Sequence, residues 1–228
     1  LDFQRLFRYF ASIQEAYSPM TIEPLNYVTA CLGRAFYERD TNEVAKSLLG
    51  KVFIRRLALN GGIIKLAGYI IETEAYGYLD DPASHAFKGL RKRNSMMFGD
   101  VGHLYVYFIY GKHFCANVTA RKYDTDAGAV LIRSILPLAG QDIMSKMRSY
   151  SNNLTIGPGR VTEAMSITQV HNGLDITQET SGISIHRGLD IDDVITSARI
   201  GISRAIDKPW RYTAARFATI FKIGTLPE

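Results

Sequence analysis

The chain has 228 residues, 46% hydrophobic and 21% charged, with two cysteines and a net charge of +5. That balance excludes a disordered chain, and no apolar run reaches the roughly 18 residues of a spanning helix. Cys31 and Cys115, with no CxxC or CxxH spacing, exclude a disulfide framework and a structural zinc site, so an intracellular, single-domain protein is expected.

In chain order, Phe3, Leu6, Phe7, Phe10, Ile13 and Tyr17 recur at helical spacing ahead of Pro19. This predicts a helix docked on the body of the protein, within an N-terminal extension over residues 1–31. A second helix is expected from Asp40, with Glu43 completing a capping box, to Gly50. Strand-like runs at Val52–Leu59 and Ile63–Tyr76 flank Asn60-Gly61-Gly62, a hairpin signal. Gly102–Tyr110 and Phe114–Ala120 predict a second hairpin turning at Gly111-Lys112. A strand at Val130–Leu138, a helix over roughly 139–149, and a short helix opened by Gly157-Pro158-Gly159-Arg160 follow. Further strands are expected at Ile183–Leu189 and Ala198–Ser203. Strands in the middle with helices at both ends predict an α+β domain on a mostly antiparallel sheet.

Charge is unevenly spread. Between His85 and Lys122 stand seven basic residues (Lys88, Arg91, Lys92, Arg93, Lys112, Arg121, Lys122) against one acid, Asp100. This window carries +6 and leaves the remainder at −1. Charge alone describes an ordinary solvated face. Interleaved Phe87, Phe98, Tyr105, Tyr107, Phe108, Tyr110 and Phe114 point instead to nucleic acid, because cations attract phosphates and rings stack on bases.

Two segments carry candidate chemistry. In Ile71-Glu72-Thr73-Glu74-Ala75-Tyr76 the alternation of a strand puts Glu72, Glu74 and Tyr76 on one face. That face is either solvent-exposed or a general base beside an aromatic platform, and paired carboxylates also suit glycoside hydrolysis. In Gly102–Gly111, Tyr105 and Tyr107 share a face, and Tyr110 falls at the hairpin tip. An exposed tip aromatic is a partner contact, a residue folded back onto the sheet, or a wedge for a base stack. No P-loop, dinucleotide fingerprint, HExxH or GxSxG is present, and neither metal nor cofactor is expected.

Three strings, Ile71-Glu72-Thr73-Glu74-Ala75-Tyr76, Gly102–Gly111 and Val130-Leu131-Ile132-Arg133, occur in an order and at a spacing that resemble the alkyladenine (3-methyladenine) DNA glycosylase family. The resemblance runs from about Leu32 to about Tyr212 and implies one glycosylase domain over residues 32–228, with a curved sheet flanked by helices and a protruding β-hairpin that enters the DNA. It implies an enzyme that flips an alkylated or deaminated purine out of duplex DNA and hydrolyses its N-glycosidic bond. By the same resemblance, Glu74 is the general base and Arg133 helps hold the nucleophilic water, with a backbone carbonyl near Ile202 as third partner. Tyr76, His85 and Tyr107 match the walls of the base pocket, Asn117 the residue that disfavours guanine, and Tyr110 the side chain filling the gap left by the flipped nucleotide. Arg91, Lys92, Arg93 and Lys112 are expected along the DNA backbone. Glu72 becomes a supporting or surface residue. Phe108 and Lys112-His113 depart from the family pattern and bear on the lesion spectrum rather than the reaction.

No lysine is placed in the pocket by motif, so a monofunctional enzyme without a Schiff-base step is implied. A monomer is expected, in the cytoplasm or nucleoid of a bacterium or the nucleus of a eukaryote. The rival readings are a non-catalytic nucleic-acid-binding module and a carbohydrate-active hydrolase using Glu72 and Glu74.

Overall fold

Alternation of apolar and polar residues produces long strands here, and the glycines between them let the chain reverse. The computed structural model describes residues 30–59, 61–109, 111, 113–148 and 153–217. The expected N-terminal helix, Asn60 of the first turn, and Tyr110 and Lys112 at the second lie outside the described residues.

Strands β1 (Val52–Leu59) and β2 (Gly62–Tyr76) form the first hairpin, and β3 (Leu104–Ile109) and β4 (His113–Thr119) the second. Gly61 and Gly111 have φ of +78° and +65°, a region that glycine enters without the Cβ penalty of other residues. β5 (Ala129–Ala139), β6 (Ile183–His186), β7 (Val194–Ser197) and β8 (Arg211–Ala214) complete a curled antiparallel sheet ordered β3-β4-β5-β2-β1-β6, with β7 and β8 joined to β2.

Four α-helices pack with the sheet among the described residues: α1 (Thr41–Ser47), α2 (Ser95–Phe98), α3 (Gln141–Arg148) and α4 (Pro158–Ala164). Asp40 caps α1 by accepting the amides of Asn42 and Glu43. The fold is α+β, as the strand clustering predicts. Its main core joins α1 and α4 to the sheet through Val44, Leu48, Phe53, Leu66, Ile70, Val118, Ile132, Val161 and Ile185, all at most 1% exposed. Each fully buried aliphatic or aromatic side chain of this kind contributes about 1.5–3 kcal/mol.

β2 is the hub. Its first half pairs with β1, its last turns pair with β8, and its other edge runs along β5. Register shifts on the β5 edge flank Glu72, so the strand bends where its carboxylates begin.

One expectation is corrected. Ala198–Ser203 is not a strand; it is an irregular segment between β7 and β8. Arg199 is buried and Ile200 half exposed, the reverse of what the apolar alternation implies, and Gly201 at φ +76° breaks extended backbone. The strands expected at Ile183–Leu189 and Phe114–Ala120 shift to the bounds of β6 and β4.

Candidate active site

A cavity of about 940 Å³ opens beside the second hairpin. Tyr76 from the end of β2, His85 from the loop after it, Tyr107 from β3, Asn117 from β4 and Arg133 from β5 all line it. These strands are neighbours, so residues far apart in sequence converge on one face.

Glu74 lies behind that wall and is completely buried. Its Oε1 accepts the Ile200 amide at 2.7 Å. Its Oε2 accepts the Tyr76 hydroxyl at 2.8 Å and stands 3.3 Å from Arg133 Nη1. Burying a carboxylate is costly unless it is paired and hydrogen-bonded, and here all three partners border the cavity. Burial first, then the Glu74 carboxylate, raise the Tyr76 phenol far above its ordinary value, so it stays a donor at neutral pH.

Glu72 is not on a solvent face. It is 4% exposed, accepts Ser134 Oγ at 2.6 Å and Arg211 Nη1 at 3.1 Å, and its Oε1 lies 3.4 Å from Arg133 Nε. Neighbouring β5 and β8 bring these partners to it. Strand alternation places the two glutamates on one face but cannot say how deeply that face is covered. Arg133 thus sits between two carboxylates, its guanidinium turned toward Glu74 on one side and Glu72 on the other.

The aromatic wall is a small apolar cluster of its own, built on Ala86, Met97, Tyr105, Ala127 and Ala129 with Tyr76 and Tyr107 packed against it. The His85 ring meets Tyr107 edge-on at 4.7 Å, and Tyr105 lies 5.3 Å from Tyr107. His85 Nδ1 is 3.0 Å from the Tyr105 hydroxyl. Burial, then the Arg93 charge, push the imidazole below its ordinary value, which favours a neutral ring. Burial pushes Tyr105 up to about 12 and the Cys115 thiol, opposite Tyr107 across the hairpin, up to about 11. Asn117 is buried and donates Nδ2 to the Tyr105 carbonyl at 3.0 Å.

Arg93 lines the cavity 5.7 Å over the Tyr107 ring, and with its exposed chain neighbours Arg91 and Lys92 it forms a cationic rim beside it. His113 at the base of the hairpin lies 2.7 Å from Glu163 of α4, which also holds Arg148 of α3. That link explains the unusual His113, and nothing in the local sequence announces it. Sequence reasoning also missed the buried pair of Asp81 and Arg199, whose oxygens and nitrogens meet at 2.7 Å. Among the described residues, no group of three metal-ligating side chains is assembled.

The model of the methylpurine-DNA glycosylase (MPG) family matches residues 35–217. The chain belongs to the methylpurine-DNA glycosylase family. A protein of Nitrosospira multiformis is 47% identical over 181 residues, covering 78% of this chain and 88% of its own length. One of Koribacter versatilis is 41% identical over 192 residues, covering 82% and 90%. One of Rhodopseudomonas palustris is 38% identical over 212 residues, covering 92% and 96%. Each carries the provisional name 3-methyladenine DNA glycosylase. As a member of this family the glycosylase is a base-excision-repair hydrolase that acts on N-glycosyl bonds, and DNA is its substrate.

Proposed function

We propose that the glycosylase flips an alkylated or deaminated purine into the cavity and that Glu74 activates the water that displaces it. The observation that carries this reading is a fully buried carboxylate behind the wall of an aromatic cavity, held by an amide, a phenol and a guanidinium whose residues line it. A binding module needs the rim and the rings, but not a buried charge beneath them.

In the reaction the water oxygen bonds to the sugar C1′ while the C1′–N bond to the purine breaks. The water proton passes to Glu74, and the bonding pair leaves with the base. A purine alkylated at a ring nitrogen is cationic and departs as a neutral molecule. A deaminated base such as hypoxanthine takes a solvent proton on a ring nitrogen before the bond breaks and also departs neutral, and Glu74 then returns the water proton to solvent. The Glu74 charge stabilises the oxocarbenium character that develops at the sugar. Arg133 and a carbonyl near Ile202, which borders the same cavity, hold the water. Tyr76, His85 and Tyr107 form the walls for the base; a cationic purine gains from the tyrosine faces. Asn117 crowds the exocyclic amino group of guanine.

Tyr110 is the wedge that occupies the gap in the stack, and Arg91, Lys92, Arg93 and Lys112 lie along the backbone. No lysine is among the described residues lining the cavity, which favours water over an amine nucleophile and hence a monofunctional enzyme. The enzyme acts as a monomer, with residues 1–31 as an extension to a glycosylase domain over 32–228.

Base release from duplex oligonucleotides carrying ethenoadenine, hypoxanthine or a methylated purine tests this reading. Free base with an intact abasic strand is expected from at least one of them. Release of none, or strand cleavage through a borohydride-trapped adduct, contradicts it.

A further inference from the structure

Ile200 donates its amide to Glu74 from a segment that has no ladder to hold it. Among the described residues, 199–204 make no backbone–backbone hydrogen bond, and Gly201 bends the chain at φ +76°. The Ile200 side chain is half exposed, so packing does not fix it either. What fixes it is the preceding residue. Arg199 Nη1 and Nη2 each lie 2.7 Å from an oxygen of Asp81, both side chains fully buried, and Nη1 also donates to the Ala75 carbonyl at 2.9 Å. The guanidinium is sandwiched between Tyr76 at 4.7 Å and Trp210 at 5.1 Å. Asp81 in turn accepts the amides of Gly77 and Ala83, at the start of the loop that carries His85. Ala75 donates its own amide to Trp210 O.

One buried ion pair therefore binds together the end of β2, the 77–83 loop, the 199–202 segment and the entry to β8. A bidentate arginine–carboxylate pair with both members desolvated is a rigid joint. Arg199 precedes Ile200, and the backbone groups bonded to the pair, Ala75 O and Gly77 N, flank Tyr76, so the joint adjoins both residues that donate to Glu74.

From this geometry we infer that Arg199, locked by Asp81, is a positioning residue for Glu74, acting through the Ile200 amide. The inference rests on the reading of Glu74 as the base. The Ile200 N–H aims one oxygen of the carboxylate, leaving the other to Tyr76 and Arg133. The groups facing Glu74 are Tyr76 on its own strand, Cys115 from β4, Arg133 from β5, and Ile200 with the Arg199 charge behind it; Glu72 shares Arg133.

Two variants test it: Arg199→Lys, which keeps the charge and loses the fork, and replacement of Ile200 by its α-hydroxy acid, which exchanges only the N–H for an ester oxygen. Single-turnover excision of hypoxanthine is followed together with affinity for an abasic-analogue duplex and the melting temperature. Both variants are expected to lose about tenfold or more in maximal rate, with affinity within about threefold.

Rates matching the parent overturn the inference, whatever happens to the melting temperature. So does a rate loss matched by an equal loss of affinity, which is what a merely structural role produces. If Arg199→Lys does not fold, the ester variant decides alone. The parent and Glu74→Gln are measured alongside: a parent that releases no base, or a Glu74→Gln protein as fast as the parent, overturns the assignment of the base itself.

Discussion

Behind the cavity wall lies a charged floor of Glu72, Glu74, Asp81, Arg133 and Arg199, of which Arg133 alone lines the cavity; all five are buried, and each has an opposite charge within 3.4 Å. On the rim, Arg91, Lys92 and Arg93 are exposed and make no ion pair among the described residues. The two regions carry the same kinds of side chain in opposite states. Floor charges are desolvated, so each must be satisfied by the protein and its position is set by the fold. Rim charges keep their water. Substitutions on the floor should therefore change stability or chemistry steeply, and those on the rim should change DNA affinity alone.

The sharpest way to break this contrast is Arg133→Met. It takes the cation from beside Glu74 and one of two from Glu72, and removing one partner of a buried pair costs about 3–5 kcal/mol. Thermal melts should show a loss of that order together with loss of excision; an unchanged melting temperature would mean that the floor tolerates unpaired charge. Next comes Glu72→Gln, which keeps shape but weakens the bonds to Ser134, Arg211 and Arg133. A cost of about 1–3 kcal/mol with excision within tenfold of the parent is expected, separating structural from chemical carboxylate. A collapse of excision in a stable Glu72→Gln protein would merge the two roles.

Asn117→Ala lies between floor and rim. It gives up one buried hydrogen bond, about 1 kcal/mol, and should raise release of undamaged guanine in a competition assay. Unchanged discrimination among purines would place selectivity elsewhere. The smallest stability effects belong to Arg91→Gln, Lys92→Gln and Arg93→Gln, each within about 0.5 kcal/mol. Each removed phosphate contact should reduce the salt dependence of duplex binding by about one unit of slope. Salt slopes that stay at the parental value would remove these three from the backbone interface.

The contrast also explains what was legible in the sequence. The hairpins, the bend at Gly111 and the shared face of Glu72, Glu74 and Tyr76 follow from alternation and turn chemistry, which act over a few residues. The depth of Glu72 does not, because Ser134 and Arg211 reach it from β5 and β8, and β8 is only four residues long. The Asp81–Arg199 joint spans 118 positions, and Arg199 sits in a segment whose apolar alternation imitates a strand. Local pattern has no access to a pairing of that range. The exposure of Arg91, Lys92 and Arg93 was readable from the clustering of charge, because a solvated cation needs no partner from a distant strand.

The central claim, that the buried carboxylate activates the water, is tested most directly by single-turnover base release from an ethenoadenine or hypoxanthine duplex by Glu74→Gln beside the parent, with duplex affinity measured in parallel. The amide keeps the side chain's shape and cannot take a proton from water, so the rate should fall by about 10²–10⁴-fold while affinity stays within about threefold. Release within tenfold of the parent by a normally folded Glu74→Gln protein would contradict it.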